Sequence, residues 1–133
     1  MPYTFLKLNE KHKIKKFLND HWKKNHILVL RKNLLNWQHI YKKRLAFYCL
    51  KKNNEIISCL GIINQSQNNA FTKQGLGIIC SKNKFGIIDL LNNFMKKKYY
   101  TLIAIGLTKE IIPIYKYFKF KTGELNMYYI SNP

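Results

Sequence analysis

The chain is poor in acids, in arginine and in paired cysteines. Its 133 residues include 6 Asp and Glu against 24 Lys and Arg, for a net charge of +18, and only Arg31 and Arg44 are arginines. Cys49, Cys59 and Cys80 are odd in number and form no CxxC pair, which excludes a disulfide scaffold and favours reduced thiols. No apolar run approaches the roughly 18 residues of a membrane span, and the N-terminus does not resemble a signal peptide. We therefore expect a cytoplasmic protein without membrane insertion.

The positive charge suggests a nucleic-acid partner, because Lys and Arg neutralise phosphates. The scarcity of arginine counts against it, since arginine makes the bidentate contacts that read base edges. Lys, Asn, Ile and Tyr are also frequent throughout the chain, as an AT-rich genome would produce. A basic surface serves an anionic small substrate equally well. We expect nucleic acid not to be the main partner.

The length fits a single domain over residues 1–133, and 47% hydrophobic residues suffice for a core. Apolar periodicity and turn residues predict strands at 4–8, 45–50, 55–63, 75–80, 100–107 and 125–130 and helices at 9–22, 34–40, 85–98 and 109–118. A hairpin turn is expected at 51–54 and a polar loop at 65–73. This order predicts an α+β (mixed α/β) domain with helices on both faces of a central sheet.

The loop Ser81-Lys82-Asn83-Lys84-Phe85-Gly86 joins the fourth strand to a helix. A helix N-terminus has unpaired amide groups and a partial positive charge, so it attracts an anion such as a diphosphate. The lysines would add charge. An ordinary strand-to-helix turn on a basic protein is the alternative interpretation.

The segment 111–120 predicts a short helix ending in an aromatic corner, and Lys121-Thr122-Gly123-Glu124 predicts a turn into a last strand. Upstream lie the strand 100–107 and the strand 75–80 with its basic loop and helix. This order resembles the acyl-CoA half of the Gcn5-related N-acetyltransferases, the GNAT superfamily. The resemblance implies a central, twisted, mostly antiparallel sheet whose middle strands 75–80 and 100–107 splay apart, with acetyl-CoA as acyl donor in the gap.

The resemblance also implies the cofactor-binding residues. The family pattern is Gln or Arg, two residues, Gly, one residue, then Gly or Ala. Here only the final Gly86 survives, Lys84 replaces the first Gly, and Ser81 replaces the Gln or Arg. Thr108 stands where the family has Asn. The residues expected to contact acetyl-CoA are Ile78, Ile79, Cys80, Lys82, Asn83, Lys84, Phe85, Gly86, Ile87 and Thr108, with the amides of 78–80 polarising the thioester carbonyl.

Tyr115 stands where the family often has the tyrosine that protonates the leaving thiolate. A phenol with a pKa of about 10 stays protonated at neutral pH and can donate that proton. The alternative is a packing role, since the chain has nine tyrosines. The general base stays open between His39, His26 and an ordered water.

Two clusters in the first half mix aromatic, histidine and amide side chains: 21–26 (His-Trp-Lys-Lys-Asn-His) and 35–39 (Leu-Asn-Trp-Gln-His). Trp and His can stack on a sugar and Asn or Gln can bond its hydroxyls. Packing of the tryptophans in the core is equally open. The histidines have no accompanying ligands at metal-binding spacing, so no metal site is expected.

These clusters, with 60–63 (Leu-Gly-Ile-Ile) and 123–130 (Gly-Glu-Leu-Asn-Met-Tyr-Tyr-Ile), resemble the N-acetyltransferase-like domain of bacterial surface-polysaccharide biosynthesis proteins. That resemblance implies an amino sugar or nucleotide-linked amino sugar as acceptor, bound by Trp22, His26, Trp37 and His39. Members often carry His where Met127 stands. More chain follows the last strand in such proteins, so a further C-terminal domain and a naturally short relative are both open.

Two other functions remain. The altered phosphate loop fits a degenerate domain that binds a nucleotide, a lipid phosphate or a partner without turnover. The charge alone fits a basic nucleic-acid-binding module.

Overall fold

A computed structural model describes residues 3–41, 43–64, 73–97 and 101–126. The strands are β1 (Tyr3–Phe5), β2 (Ile40–Tyr41), β3 (Arg44–Leu45), β4 (Phe47–Lys52), β5 (Glu55–Asn64), β6 (Lys73–Ser81) and β7 (Thr101–Ala104). The helices are α1 (Lys11–His21), α2 (Ile27–Leu30), α3 (Lys32–His39), α4 (Lys84–Met95) and α5 (Ile112–Tyr117), with a 3-10 turn at Leu8–Glu10. No helix within the described residues is long and apolar enough to cross a membrane.

Five strands form one sheet in the order β1-β4-β5-β6-β7, and β2 and β3 form a separate short hairpin. All pairs in the large sheet are antiparallel except β6 and β7, which are parallel. Asn53 and Asn54 connect β4 to β5 with φ angles of 50° and 63°. Asn tolerates this left-handed conformation better than most residues, which explains a tight hairpin at the predicted position.

Helices cover both faces of the sheet, as predicted. On one face α1, α2 and α3 contribute Ile14, Leu28 and Leu35 to a core cluster that also holds Phe47 and Cys49 of β4. On the other face a second cluster joins α4, α5 and the sheet, with these buried members: Ala46, Tyr48, Leu60, Ile62, Leu76, Leu90, Leu91, Phe94 and Tyr115. Alternate side chains of β4 reach opposite faces, as a period of two requires. The mixed α/β class is therefore confirmed.

The parallel strands β6 and β7 pair over only part of their length. Their register runs from Lys73 opposite Thr101 to Leu76 opposite Ala104. Beyond Leu76, β6 continues to Ser81 beside β5, whereas β7 ends at Ala104. The two strands thus part at the Leu76–Ala104 pair, which is the splay that the resemblance implied.

A β-bulge lies at the same place. Gly61 pairs with Ile78 and Ile62 with Leu76, so Gly77 is the extra residue on β6. A bulge bends a strand and interrupts its regular pairing. Strand β6 therefore changes direction where it leaves β7.

Some predicted elements differ from those observed. The first strand ends at Phe5, not at residue 8, because the chain enters the 3-10 turn at Leu8. Strand β7 stops at Ala104, three residues early, and Gly106 follows with a φ of 73°. Residues 125 and 126 are not in a strand, and 127–130 of the predicted last strand lie outside the described residues. Neither α2 nor the β2–β3 hairpin was predicted.

Candidate active site

The loop between β6 and α4 is closed by its own side chains. Asn83 is the N-cap of α4, and its Oδ1 accepts a 2.7 Å hydrogen bond from the Gly86 amide. The Ser81 hydroxyl accepts a 3.3 Å bond from the Asn83 amide. The Lys82 amide donates to the Ile57 carbonyl at 2.9 Å. These bonds fix the loop against β5 and position the start of α4.

The loop uses some of the amide groups at this helix start. The first four amides of a helix, from the N-cap onward, have no partner inside the helix. Those of Asn83 and Gly86 bond to side chains of the loop. At least two of the four donors with which a helix N-terminus binds phosphate are therefore occupied by the chain itself.

Gly86 is required by close packing. A Cβ at this position would overlap the Ser81 hydroxyl oxygen and would lie 3.0 Å from Asn83 Oδ1. This close packing explains why a glycine stands at this position.

The side chains of the loop differ in their contacts and exposure. The Lys82 ammonium pairs with the Glu55 carboxylate at 3.2 Å, on the side of the loop that faces the β4–β5 hairpin. The Phe85 ring is exposed and Ile87 is half-buried. The Lys84 side chain lies outside the described part of the structure. The Glu55 carboxylate thus competes with any phosphate for Lys82.

The three β6 residues expected to contact acetyl-CoA lie beyond the point where β6 leaves β7. Ile78 and Cys80 turn their side chains into the core cluster beneath α1, whereas Ile79 packs in the cluster beneath α4. Burial raises the pKa of the Cys80 thiol to about 11, so it is protonated and unreactive at neutral pH. The side chains of residues 78–80 pack in the core, so a ligand at this part of β6 would contact backbone groups.

Tyr115 of α5 lies in the core cluster that also holds Leu76, and only 2% of its surface is exposed. Its ring meets the Phe120 ring edge-on at a centroid distance of 5.0 Å. Burial raises the pKa of the Tyr115 hydroxyl to about 12, so the phenol is protonated at neutral pH. The ring also lines a cavity of about 720 Å³ along β7, bounded by α5 and residues 120–126.

This cavity and the β6–β7 gap are different places. All of the cavity's lining residues come from β7 and the chain that follows it, and none from β6. Tyr115 borders the cavity and also packs with Leu76 in one cluster.

Thr108 lies before α5, where its carbonyl accepts bonds from the Ile111 and Ile112 amides. A hydrogen bond from the Thr108 side chain lowers the pKa of Glu110.

The four residues expected to bind an acceptor do not form one site. Trp37 and His39 are two positions apart on α3 and therefore lie on opposite sides of the helix. Trp37 is 78% exposed, whereas His39 is 1% exposed and its ring packs tilted against the Phe47 ring at a centroid distance of 4.5 Å. His39 Nδ1 lies 3.1 Å from the Ile62 carbonyl oxygen, and burial lowers its pKa. The expectation that His39 contacts an acceptor is corrected: it is a neutral core residue.

Trp22 and His26 do meet. Their rings pack edge-on at 4.5 Å, across the turn between α1 and α2. The His26 Nδ1 atom also caps α2 by accepting from the Leu28 amide at 3.2 Å. This pair is half-buried and packs on the α1–α3 core. These contacts fix the positions of both rings, and part of each ring's surface remains exposed to solvent.

Several residues that shape the site carried no motif. The cap formed by Asn83 could have been expected from the cap preferences of Asn. The bulge at Gly77 and the buried Ser58, whose hydroxyl has no partner among the described atoms, had no sequence signal. Among the described residues, no group of three His, Cys, Asp or Glu side chains is placed to hold a metal ion.

Solved structures with a similar fold include acetyltransferases. A ribosomal-protein-alanine N-acetyltransferase from Brucella melitensis biovar Abortus aligns with a TM-score of 0.61 at 10% identity, covering 99% of this chain and 100% of the other. An acetyltransferase from Trypanosoma brucei aligns with a TM-score of 0.54 at 11% identity, covering 98% and 99%. The chain shares the fold of these two acetyltransferases.

A GNAT-family acetyltransferase from Streptococcus pneumoniae aligns over 65% of this chain and 71% of the other, with a TM-score of 0.46 at 11% identity. The fold assignment rests on the two full-length alignments. The sequence itself matches no family model and no curated protein. The fold of the two full-length neighbours is therefore shared at a level of sequence identity that carries no information on substrate.

Proposed function

We propose that this protein is an acyl-CoA-dependent N-acyltransferase with acetyl-CoA as donor. The observation that carries the proposal is the parting of β6 and β7 after Leu76 and Ala104, with the N-terminus of α4 following β6 in the chain. In open sheets, ligands bind where neighbouring strands diverge and a helix start faces the gap. The acetyltransferase fold of the two full-length neighbours supports the same reaction.

The diphosphate of acetyl-CoA would lie on the amides of Lys84 and Phe85, close to Gly86, whose lack of a side chain keeps the loop compact. Lys82 would add charge by exchanging its bond to Glu55 for one to phosphate. The pantetheine arm would run along residues 77–80, where backbone groups of β6 no longer face β7. An amide in that stretch would polarise the thioester carbonyl.

The reaction would be a direct transfer. A neutral amine attacks the thioester carbonyl carbon, the new C–N bond forms, and the C–S bond breaks. The Tyr115 hydroxyl donates its proton to the departing thiolate and regains one from solvent. The proton lost by the amine leaves to water, since His39 packs on Phe47, on the face of the sheet opposite Tyr115. Holding the two reactants together supplies most of the acceleration.

For the acceptor we propose an amino sugar or a nucleotide-linked amino sugar of surface-glycan synthesis, used in the cytoplasm. The support is the resemblance of residues 21–26 and 35–39, and the partly open edge of the Trp22–His26 pair, which suits the face of a sugar ring. The three cysteines are free thiols, which suits a reducing compartment.

A catalytically degenerate binding domain is the second candidate. It is favoured by the bond between the Gly86 amide and Asn83 Oδ1, which places a chain atom where a phosphate oxygen could otherwise accept. Such a domain would bind CoA weakly or not at all.

Calorimetry with acetyl-CoA and CoA, followed by a thiol-release assay over amino sugars and their nucleotide conjugates, tests the proposal. Binding with acceptor-dependent thiol release supports the enzyme. Binding without release over the whole acceptor set supports the degenerate domain. No binding at millimolar ligand contradicts the enzyme and favours the degenerate domain.

A further inference from the structure

Three large apolar side chains on α2 and α3 are exposed to solvent. Ile27, Leu30 and Trp37 are 53%, 64% and 78% exposed. Ile27 and Leu30 are one turn apart on α2 and so lie on the same side. Ile27 and Trp37 line one open depression of about 500 Å³ together with Leu34. We call Ile27, Leu30 and Trp37 the α2–α3 patch; clustered exposed apolar groups of this kind mark interaction surfaces.

Cations flank the patch, and acids are scarce near them in the chain, where Asp20 precedes Lys23 by three residues. Arg31 and Lys32 line the same depression as Ile27 and Trp37, and both are exposed. Lys23 and Lys24 stand in the turn that precedes α2. No Asp or Glu occurs between residues 20 and 55. The ion pairs among the described residues all involve Glu10 or Glu55, so none uses these four cations.

We propose that the α2–α3 patch docks this protein on an anionic phospholipid surface. Trp prefers the headgroup level of a bilayer, and Ile and Leu gain free energy by entering the acyl boundary. The flanking cations face lipid phosphates, which attract each Lys or Arg near the surface. In this proposal the protein lies on the membrane surface, and within residues 3–41, 43–64, 73–97 and 101–126 no helix is long and apolar enough to cross a membrane.

The composition of the α2–α3 patch favours a lipid partner over a polynucleotide. Single-stranded nucleic acids bind by stacking of bases on aromatic rings. Two of the three patch residues are aliphatic and offer no stacking surface, and only Arg31 among the flanking cations has a planar group. Burying aliphatic side chains needs an apolar medium, which a bilayer has and a phosphate backbone lacks.

Flotation with vesicles tests the proposal. Wild-type protein is expected to bind vesicles of phosphatidylcholine mixed with phosphatidylglycerol and to bind pure phosphatidylcholine vesicles weakly. Ile27→Ser with Trp37→Ser should lower the partition coefficient at least about tenfold. Tyr117→Ser, which removes an equally exposed aromatic from α5, should leave it unchanged.

The charges are tested in the same assay. Arg31→Glu with Lys32→Glu should lower binding at least about tenfold, whereas Lys109→Glu with Lys116→Glu, which changes net charge equally, should lower it much less. If both double variants lose vesicle binding equally, net charge alone attracts the protein to the vesicles. That result would overturn the proposed role of the α2–α3 patch. Absence of binding to anionic vesicles would overturn the proposal outright.

Trp37 reports its own position. In a Trp22→Phe background the remaining tryptophan should shift its emission to the blue on anionic vesicles and be quenched by brominated lipid. An unchanged spectrum with bound protein would contradict docking through this patch. A single-stranded RNA that binds more tightly than the vesicles, and loses binding in the same variants, would assign the patch to nucleic acid. These assays contain no acetyl-CoA, so their outcome is independent of the proposed acyl transfer.

Discussion

Gly86 and Ser81 pack so closely that a Cβ on Gly86 would overlap the Ser81 hydroxyl oxygen. Ser81 holds the Asn83 amide, and Asn83 in turn accepts from the Gly86 amide. The start of α4 is therefore a small closed unit of three residues. It sets which backbone amides face a ligand and which are used by the chain.

Gly86→Ala should destabilise the protein by roughly 1–3 kcal/mol, since the added methyl forces Ser81 and Asn83 to move. Urea denaturation measures the loss. Gly123→Ala is the control, because nothing lies within 4 Å of a Cβ there, and it should change stability little. Adding Ser81→Ala to Gly86→Ala should recover part of the loss; strictly additive effects would contradict the contact.

Exchanging Asn83 separates its role in folding from its role in binding. Asn83→Asp keeps a good N-cap beside the helix dipole, so the melting temperature should hold. Its negative charge would repel a diphosphate, and CoA affinity should fall at least about tenfold at low salt. Asn83→Ala should cost about 1 kcal/mol of stability but keep or improve CoA affinity, because it releases the Gly86 amide. Unchanged affinity in the Asp variant would remove this loop from the site.

Tyr115→Phe should retain the fold and CoA affinity, because the ring still packs against Phe120. If the hydroxyl protonates the thiolate, turnover should fall about 10²–10⁴-fold. A purely structural tyrosine would give nearly full activity. The variant's melting temperature and its rate of acetyl transfer, measured on one preparation, distinguish the two.

His39 should make stability depend on pH. Burial lowers its pKa in the folded state, so the unfolded chain binds a proton near pH 6.5 that the folded chain rejects. The contribution of neutral, buried His39 to the free energy of unfolding is therefore complete above pH 6.5. It is lost as the pH falls below that value, by up to about 1.4 kcal/mol per pH unit. Urea denaturation from about pH 7.5 to about pH 5 should show this slope. His39→Gln should flatten it, and His12→Gln, at an exposed histidine, should not.

Much of the fold could be predicted because the long elements have strong periodicity. Helix α1 was predicted within two residues at its N-terminus and one at its C-terminus, from Ile14, Phe17 and Leu18 at helical spacing. The four-residue α2 was missed because a single turn has too few residues to show a period. Helix α5 is shorter than predicted; it starts beside Pro113, and Lys119 follows its end with a φ of 62°.

The candidate site was predictable only in part. The order of strand, loop and helix placed the phosphate loop at the start of α4, but no local pattern could reveal the Lys82–Glu55 pair, whose partners are far apart in the chain. Trp37 and His39 were predicted to bind one acceptor together, although their spacing of two residues on α3 places them on different sides of the helix. The composition of residues 35–39 suggested that their side chains form one site. In the structure the Trp37 side chain is exposed to solvent, whereas the His39 side chain is buried in the core.

Amide NMR of the labelled protein titrated with acetyl-CoA tests the central claim most directly. If acetyl-CoA binds where β6 leaves β7, the largest shift changes should occur at the amides of Lys84 and Phe85 and along residues 77–80. Amides of α2 should not respond. Saturable binding with changes confined to the cavity beside β7, or no binding at millimolar acetyl-CoA, would contradict the account.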